Sequence, residues 1–300
     1  MEETVKRIEG IIPALITPYD DSGAVSESAL RAIIDRSLEE GVGGFYAGGS
    51  TSEAFLLADE ERVRVFEIVS DHVAGRVPLI CHVGSISTNT ACRFAREAAR
   101  CGADAVSAIP PFYYRFTLDE IERYYLDIAD ATSLPLILYN FPGFTGVTID
   151  HESAPALFSD DRIVGIKHTS LDLYQLERMK RANSDFIVLN GHDEVLLAAL
   201  SHGADGAVGS TYNFMAGLFV RIRERFLAND LAGAREAQNE ANDIIAVLKR
   251  VGVYNGIKCM LELQGIQSGE CRRPFLPLDA EARGALRRAL EASPHVRGPE

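Results

Sequence analysis

No stretch of these 300 residues approaches the ~18 consecutive apolar positions of a membrane-spanning helix, and the N-terminus has no apolar core of signal-peptide length. Positive charge is also scarce. The 30 Lys and Arg face 43 Asp and Glu, a formal net charge of −13. Nucleic acids and anionic membrane surfaces reward clustered cations, so neither is expected as a partner, whereas a small anion responds to local donors. The five cysteines, Cys81, Cys92, Cys101, Cys259 and Cys271, are odd in number and lack CxxC spacing. That pattern argues against a disulfide frame or a zinc site and for reduced thiols in a cytoplasmic protein. His82, His168 and His192 fall at three different strand ends without a partnering motif, so no metal is expected. No GxGxxG follows a strand, which weakens a dinucleotide-binding reading.

What the chain does have is alternation. Short apolar runs recur about every 30 residues, the length of one βα unit, and each is followed by a helical pattern. GIIPALITP, GGFYAGGSTSE, PLICHVGS, ADAVSAIPPFYY, PLILYN, IVGIKHTS, FIVLNG and GADGAVGSTYN give eight strand candidates. Between them run amphipathic patterns such as Leu30, Ile33, Ile34 and Leu38, or Val63, Phe66, Val69 and Val73. Further helices are expected around Glu152 to Phe158, Leu171 to Ala182 and Glu194 to Ser201. Thr117 and Glu120 form a capping box. Eight such units predict a (β/α)8 TIM barrel over residues 1–216. Residues 217–300 read as a helical extension packed on the barrel in a single structural unit, with Ser293 to Glu300 frayed.

Barrel sites are built at the C-terminal ends of the strands. Those ends collect Ser50 and Thr51, Tyr113, Tyr139, Lys167 and Thr169, then Gly191, Asp193 and Glu194, and finally Gly209 and Ser210. Lys167 stands inside the apolar run IVGIKHTS. By position alone it is either a desolvated nucleophile or a strand-end lysine with its head in solvent. Burial lowers the pKa of an amine and makes it competent for Schiff-base chemistry with a ketone. A phenol such as Tyr139 is protonated at neutral pH and can donate, with a relay through Ser50 and Tyr113. The hydroxyls and backbone N–H groups of Ser50 and Thr51 suit a substrate carboxylate. Asp193, Glu194 and Ser210 suit a polyhydroxylated tail. The bland alternatives are a tight loop for GGSTSE, an aromatic cap or oligomer contact for PPFYY, and a cap on the next helix for Asp193 and Glu194.

Taken together, GGSTSE, HVGSIST, DAVSAIPPFYY, YNFP, GIKHTS followed by DLYQ, NGHDE and GADGAVGSTYN resemble the N-acetylneuraminate lyase and dihydrodipicolinate synthase family. The likeness runs from Gly10 to Phe275 and is nearer the neuraminate lyase branch. It implies a Schiff-base aldolase that cleaves N-acetylneuraminate reversibly to N-acetylmannosamine and pyruvate. Its only cofactor would be the covalent link between pyruvate and Lys167. Tyr139 would be the proton donor, and Ser50 and Thr51 the carboxylate end. Thr169, Gly191, Asp193, Glu194 and Ser210 would hold the sugar. Tyr113 would reach a neighbouring subunit's site, which implies a homotetramer. Two positions depart from the pattern. Ser52 replaces the loop glycine, which matters if that residue needs φ > 0. The loop after Tyr139 and Asn140 reads PGFTG, with Phe144 and no arginine, which counts against the synthase branch. An aldolase or dehydratase of another 2-keto sugar acid, or a non-catalytic sugar-acid-binding barrel, stays open.

Overall fold

The computed structural model describes residues 7–296. Its eight strands are β1 (Gly10–Pro13), β2 (Phe45–Ala47), β3 (Leu79–His82), β4 (Ala105–Ala108), β5 (Leu136–Asn140), β6 (Ile163–His168), β7 (Ile187–Asn190) and β8 (Gly206–Gly209). All pair in parallel, in the order β1-β8-β7-β6-β5-β4-β3-β2. A parallel bridge between Ala14 and Tyr46 closes the cylinder. This closing seam is thin. Leu15 N–H donates to Tyr46 O at 2.9 Å and Gly43 N–H to Ile11 O at 2.8 Å. Ala14 N–H turns to Gly209 O on β8, so strand alternation gives Pro13 the β2 side, where proline has no N–H to donate.

Both faces of each strand are buried, which is why the strands read as unbroken apolar runs. Side chains alternate between two cores. Ile12, Ile80, Ala105, Ile137, Leu189 and Val208 fill the barrel interior. Ile11, Phe45, Leu79, Val106, Leu138, Ile166 and Val188 pack outward against the helices. Toward the C-terminal mouth the inner column turns polar, through Tyr46, His82, Ser107, Tyr139 and Lys167, all buried. The site therefore grows out of the inner core.

The helices follow the sequence pattern with local differences. Glu27–Glu39 buries Leu30, Ile33 and Ile34, and Thr117 with Glu120 forms the expected capping box. The Asp59–Val73 helix buries Phe66, Val69 and Val73 as expected, with Val63 only partly buried and Arg62, Val65 and Ile68 joining that face. Arg62 lies on the buried face, three and four residues before Val65 and Phe66, and donates to Gly84 O at 3.0 Å, while its Nε has no partner. The helix expected around Glu152 to Phe158 shrinks to Pro155–Phe158, and an unforeseen turn forms at Pro142–Thr145. The eighth barrel helix, Tyr212–Leu227, crosses residue 216, the expected edge of the extension. Beyond it come Leu231–Val251, Val253–Leu263 and Ala280–Ala292. The Leu231–Val251 helix buries Ala241, Ile244, Ile245 and Leu248, and packs on Tyr212–Leu227, the turn after β7, Val253–Leu263 and Ala280–Ala292. Expected fraying is overturned for Ser293 to Val296: Glu240 accepts from Ser293 and His295, and Val296 is buried. Residues 297–300 lie outside the described residues. No helix among those described is long and apolar enough to cross a membrane.

Candidate active site

β6 places Lys167 one residue before the strand end with its side chain inward, 5% exposed. Its cross-strand partner on β5 is Tyr139. Neighbours in register on one face bring their side chains together. The Lys167 Nζ lies 4.1 Å from the centre of the Tyr139 ring and 4.7 Å from that of Tyr46. The solvent-facing alternative for Lys167 is thereby removed. Burial lowers its pKa from 10.5 to about 7, against the opposing pull of the Asp193 charge. Burial likewise lifts the Tyr139 phenol to about 12, while the nearby hydroxyls of Ser50 and Thr169 draw it down. At neutral pH the pair is thus an amine that readily sheds its proton beside a phenol that keeps its own. Thr169 Oγ1 is buried and completes no hydrogen bond.

Above them opens a cavity of about 430 Å³. Ser50, Thr51, Tyr139, Lys167, Thr169, Gly191, Asp193, Glu194 and Ser210 all line it, so nine of the eleven expected residues converge. The other two behave differently. Tyr113 is 84% exposed with φ 81, in the loop beyond β4, and does not reach the cavity of its own chain. A relay from Tyr139 through Tyr113 is therefore absent within one chain. Gly209 also lies off the cavity wall, and its role is to leave room. A Cβ there would stand 2.2 Å from Asp193 Oδ1. Gly191 is equally constrained, since a Cβ would fall 1.9 Å from Thr169 Oγ1.

At the near end of the cavity, Ser50–Ser52 form a single 3-10 turn. The first N–H groups of such a turn have no partner within it. Ser52 is buried with its hydroxyl 2.6 Å from Thr17 Oγ1, and the left-handed residue is Glu53, φ 57. A serine at 52 is therefore unstrained. At the far end Asp193 Oδ2 accepts from Thr211 N–H at 2.9 Å and Thr211 Oγ1 at 2.7 Å. Asp193 thus caps the Tyr212–Leu227 helix rather than the helix that follows it in sequence. Burial raises the Asp193 carboxyl to about 6. Glu194 pairs with Lys249 and lies 3.8 Å from His192 Nδ1. Burial pushes the Glu194 carboxyl upward, but Lys249 outweighs it and holds the group below its ordinary value.

The sequence reading missed Lys249, Thr211, Tyr46, Phe141 and Tyr254. Tyr46 could have been found from period-2 alternation along β2, and Thr211 from its place beside Ser210. Lys249 comes from the helical extension, and nothing local announces that its helix end overhangs the barrel mouth. The remaining histidines are engaged elsewhere. His82 Nε2 accepts from Ile109 N–H, and His168 lies between Asn140 Nδ2 and Asp172 O. A second, apolar cleft of about 370 Å³ adjoins the first and shares Ser50, Phe144, Tyr254 and Phe275 with it.

Comparison with known proteins fits this geometry. An N-acetylneuraminate lyase of Rhizobium meliloti (strain 1021) is 44% identical over 285 residues, covering 95% of each chain. CdNal from Clostridium difficile, in a crystal structure with mannosamine, matches with a TM-score of 0.93 at 36% identity, over 96% of this chain and 100% of that one. A dihydrodipicolinate synthase from Bacillus anthracis reaches the same TM-score, 0.93, at 26% identity over 96% and 99%. Backbone shape is thus common to both branches, and side chains must choose between them. The sequence profile of the dihydrodipicolinate synthetase family matches residues 7–293, and the chain belongs to that family.

Proposed function

We propose that this protein cleaves N-acetylneuraminate reversibly to N-acetylmannosamine and pyruvate, through a Schiff base on Lys167. The observation that carries the reading is the buried Lys167 amine, with a pKa of about 7, set against Tyr139. In the open-chain sugar acid, Nζ attacks the C2 ketone, and Tyr139 gives a proton to the departing water. The resulting phenolate takes the proton of the C4 hydroxyl as the C3–C4 bond breaks. The bonding electrons flow into the iminium to give an enamine. Protonation at C3 and hydrolysis then release pyruvate and restore the amine. Ser50 and Thr51 hold the carboxylate, and Thr169, Gly191, Asp193, Glu194 and Ser210 the sugar.

Phe144 supports the lyase over a synthase, because it occupies the cavity wall where a second substrate carboxylate would want a guanidinium. The barrel and the helical extension beyond Leu227 act as one unit in this reading, since Lys249 and Tyr254 of the extension line the cavity. Five unpaired cysteines suit a cytoplasmic setting. A homotetramer would give exposed Tyr113 a neighbouring cavity to enter.

The test is pyruvate release from N-acetylneuraminate beside a panel of other 2-keto sugar acids, with borohydride trapping of pyruvate. The expected result is a clear preference for N-acetylneuraminate and a covalent mass gain, abolished in Lys167→Ala. Cleavage of another acid would move the error to the sugar end. Trapping without cleavage would favour a synthase or dehydratase. Lyase activity retained by Lys167→Ala would overturn the mechanism.

A further inference from the structure

The turn that carries Ser50 and Thr51 is gripped from outside the barrel by a charged pair that the reaction does not use. Glu53 follows the turn directly, in the left-handed region at φ 57, where a non-glycine residue needs outside support. Its Oε1 lies 2.8 Å from Lys258 Nζ, with side chains 1% and 3% exposed. Its Oε2 accepts from Arg272 N–H at 2.6 Å. Lys258 also donates to Glu270 O at 3.1 Å, and the cations of Lys258 and Arg272 lie 4.0 and 4.6 Å from the centre of the Tyr19 ring. From the other side Thr17 Oγ1 donates to Ser52 O at 2.8 Å.

A buried ion pair is a poor device for stability alone, because well-packed apolar residues of similar volume serve as well or better. Its merit is fixed geometry. We infer that Glu53 and Lys258 are positioning residues, through which the C-terminal extension sets the Ser50–Thr51 hydroxyls for the carboxylate end of the 2-oxo acid. The inference rests on the reading of Lys167, Ser50 and Thr51 given above. Neither residue touches the reacting atoms, so the effect falls on the capture of pyruvate, with little change once the site is saturated.

The experiment measures the pyruvate concentration for half-maximal borohydride trapping, the trapping rate at saturation and the melting temperature. Wild type is compared with Glu53→Ala, Glu53→Gln and Lys258→Met. We expect Glu53→Ala and Lys258→Met to raise the half-saturating concentration roughly tenfold or more, since small misplacements of binding groups are costly, with little change in the saturated rate. Glu53→Gln keeps an acceptor for Arg272 N–H and should fall between. If Glu53→Ala does not fold, the double variant Glu53→Gln/Lys258→Met carries the same test with a neutral pair of similar volume. A purely structural role would lower the melting temperature and leave half-saturation where it is, and that result in folded variants overturns the inference. Failure of the wild type to trap pyruvate would instead overturn the site reading, and this inference with it.

Discussion

Lys167 is the residue at which stability and reactivity oppose each other. Folding moves its pKa from 10.5 to about 7. Between those values the unfolded chain holds a proton that the folded chain has shed, so this residue makes stability rise with pH across that window. Below pH 7 the cost is greatest, on the order of several kcal/mol. Lys167→Met should therefore melt above the wild type at pH 7, with the gap narrowing toward pH 10. A melting series against pH checks this, and equal melting at pH 7 would mean that the amine is not desolvated. The same shift predicts activity that climbs between pH 6 and pH 8, while Tyr139, at about 12, remains protonated throughout. Lys167 was legible in the sequence because a charge inside an apolar run is conspicuous. Its choice between burial and solvent was not, since that depends on Tyr46 and Tyr139 from other strands. Ser52 shows the reverse. The departure at 52 is visible in sequence, but only the backbone reveals that the left-handed position is Glu53.

At the scale of elements, the strands were readable and the extension's relation to the site was not. Strand ends can be listed in order because a closed parallel barrel turns every C-terminal end toward one mouth. That rule brought Ser50, Thr51, Tyr139, Lys167, Thr169, Asp193, Glu194 and Ser210 together without knowledge of any long-range contact. It misplaced Tyr113, which lies too far into its loop to follow β4 inward. The Leu231–Val251 helix is a different case. Its periodicity fixes which face is apolar, yet docking alone sets Lys249 beside Glu194. Lys249 is half exposed, so its ion pair adds little to stability. In the proposed function its use lies at the sugar end, where it offsets one of two carboxylates that would face an anionic substrate. Lys249→Met should raise KM for N-acetylneuraminate several-fold and leave the melting temperature and the trapping of free pyruvate unchanged. Steady-state kinetics with both substrates would show it. A matching loss in pyruvate trapping would place Lys249 at the wrong end of the cavity.

For the whole molecule, exposed aromatics surround the loop beyond β4: Tyr113, Tyr114 and, across the adjoining cleft, Phe55 and Phe144. In the proposed homotetramer these surfaces meet another copy. Light scattering should then report a mass near four chains, and Tyr113→Ala should lower kcat with Lys167 trapping intact. A fully active monomer would remove the role given to Tyr113. The thin junction between β1 and β2 has its own effect on the assembled barrel. A cylinder of staves loosens where its hoop is weakest, and here one rung is missing at Pro13. The amides of Gly43 and Leu15 should exchange with deuterium sooner than those deep in β5 and β6. Tyr46, which covers Lys167 from one side, belongs to that looser edge. Breathing of the seam would let water reach the amine from behind, by a path that never crosses the mouth.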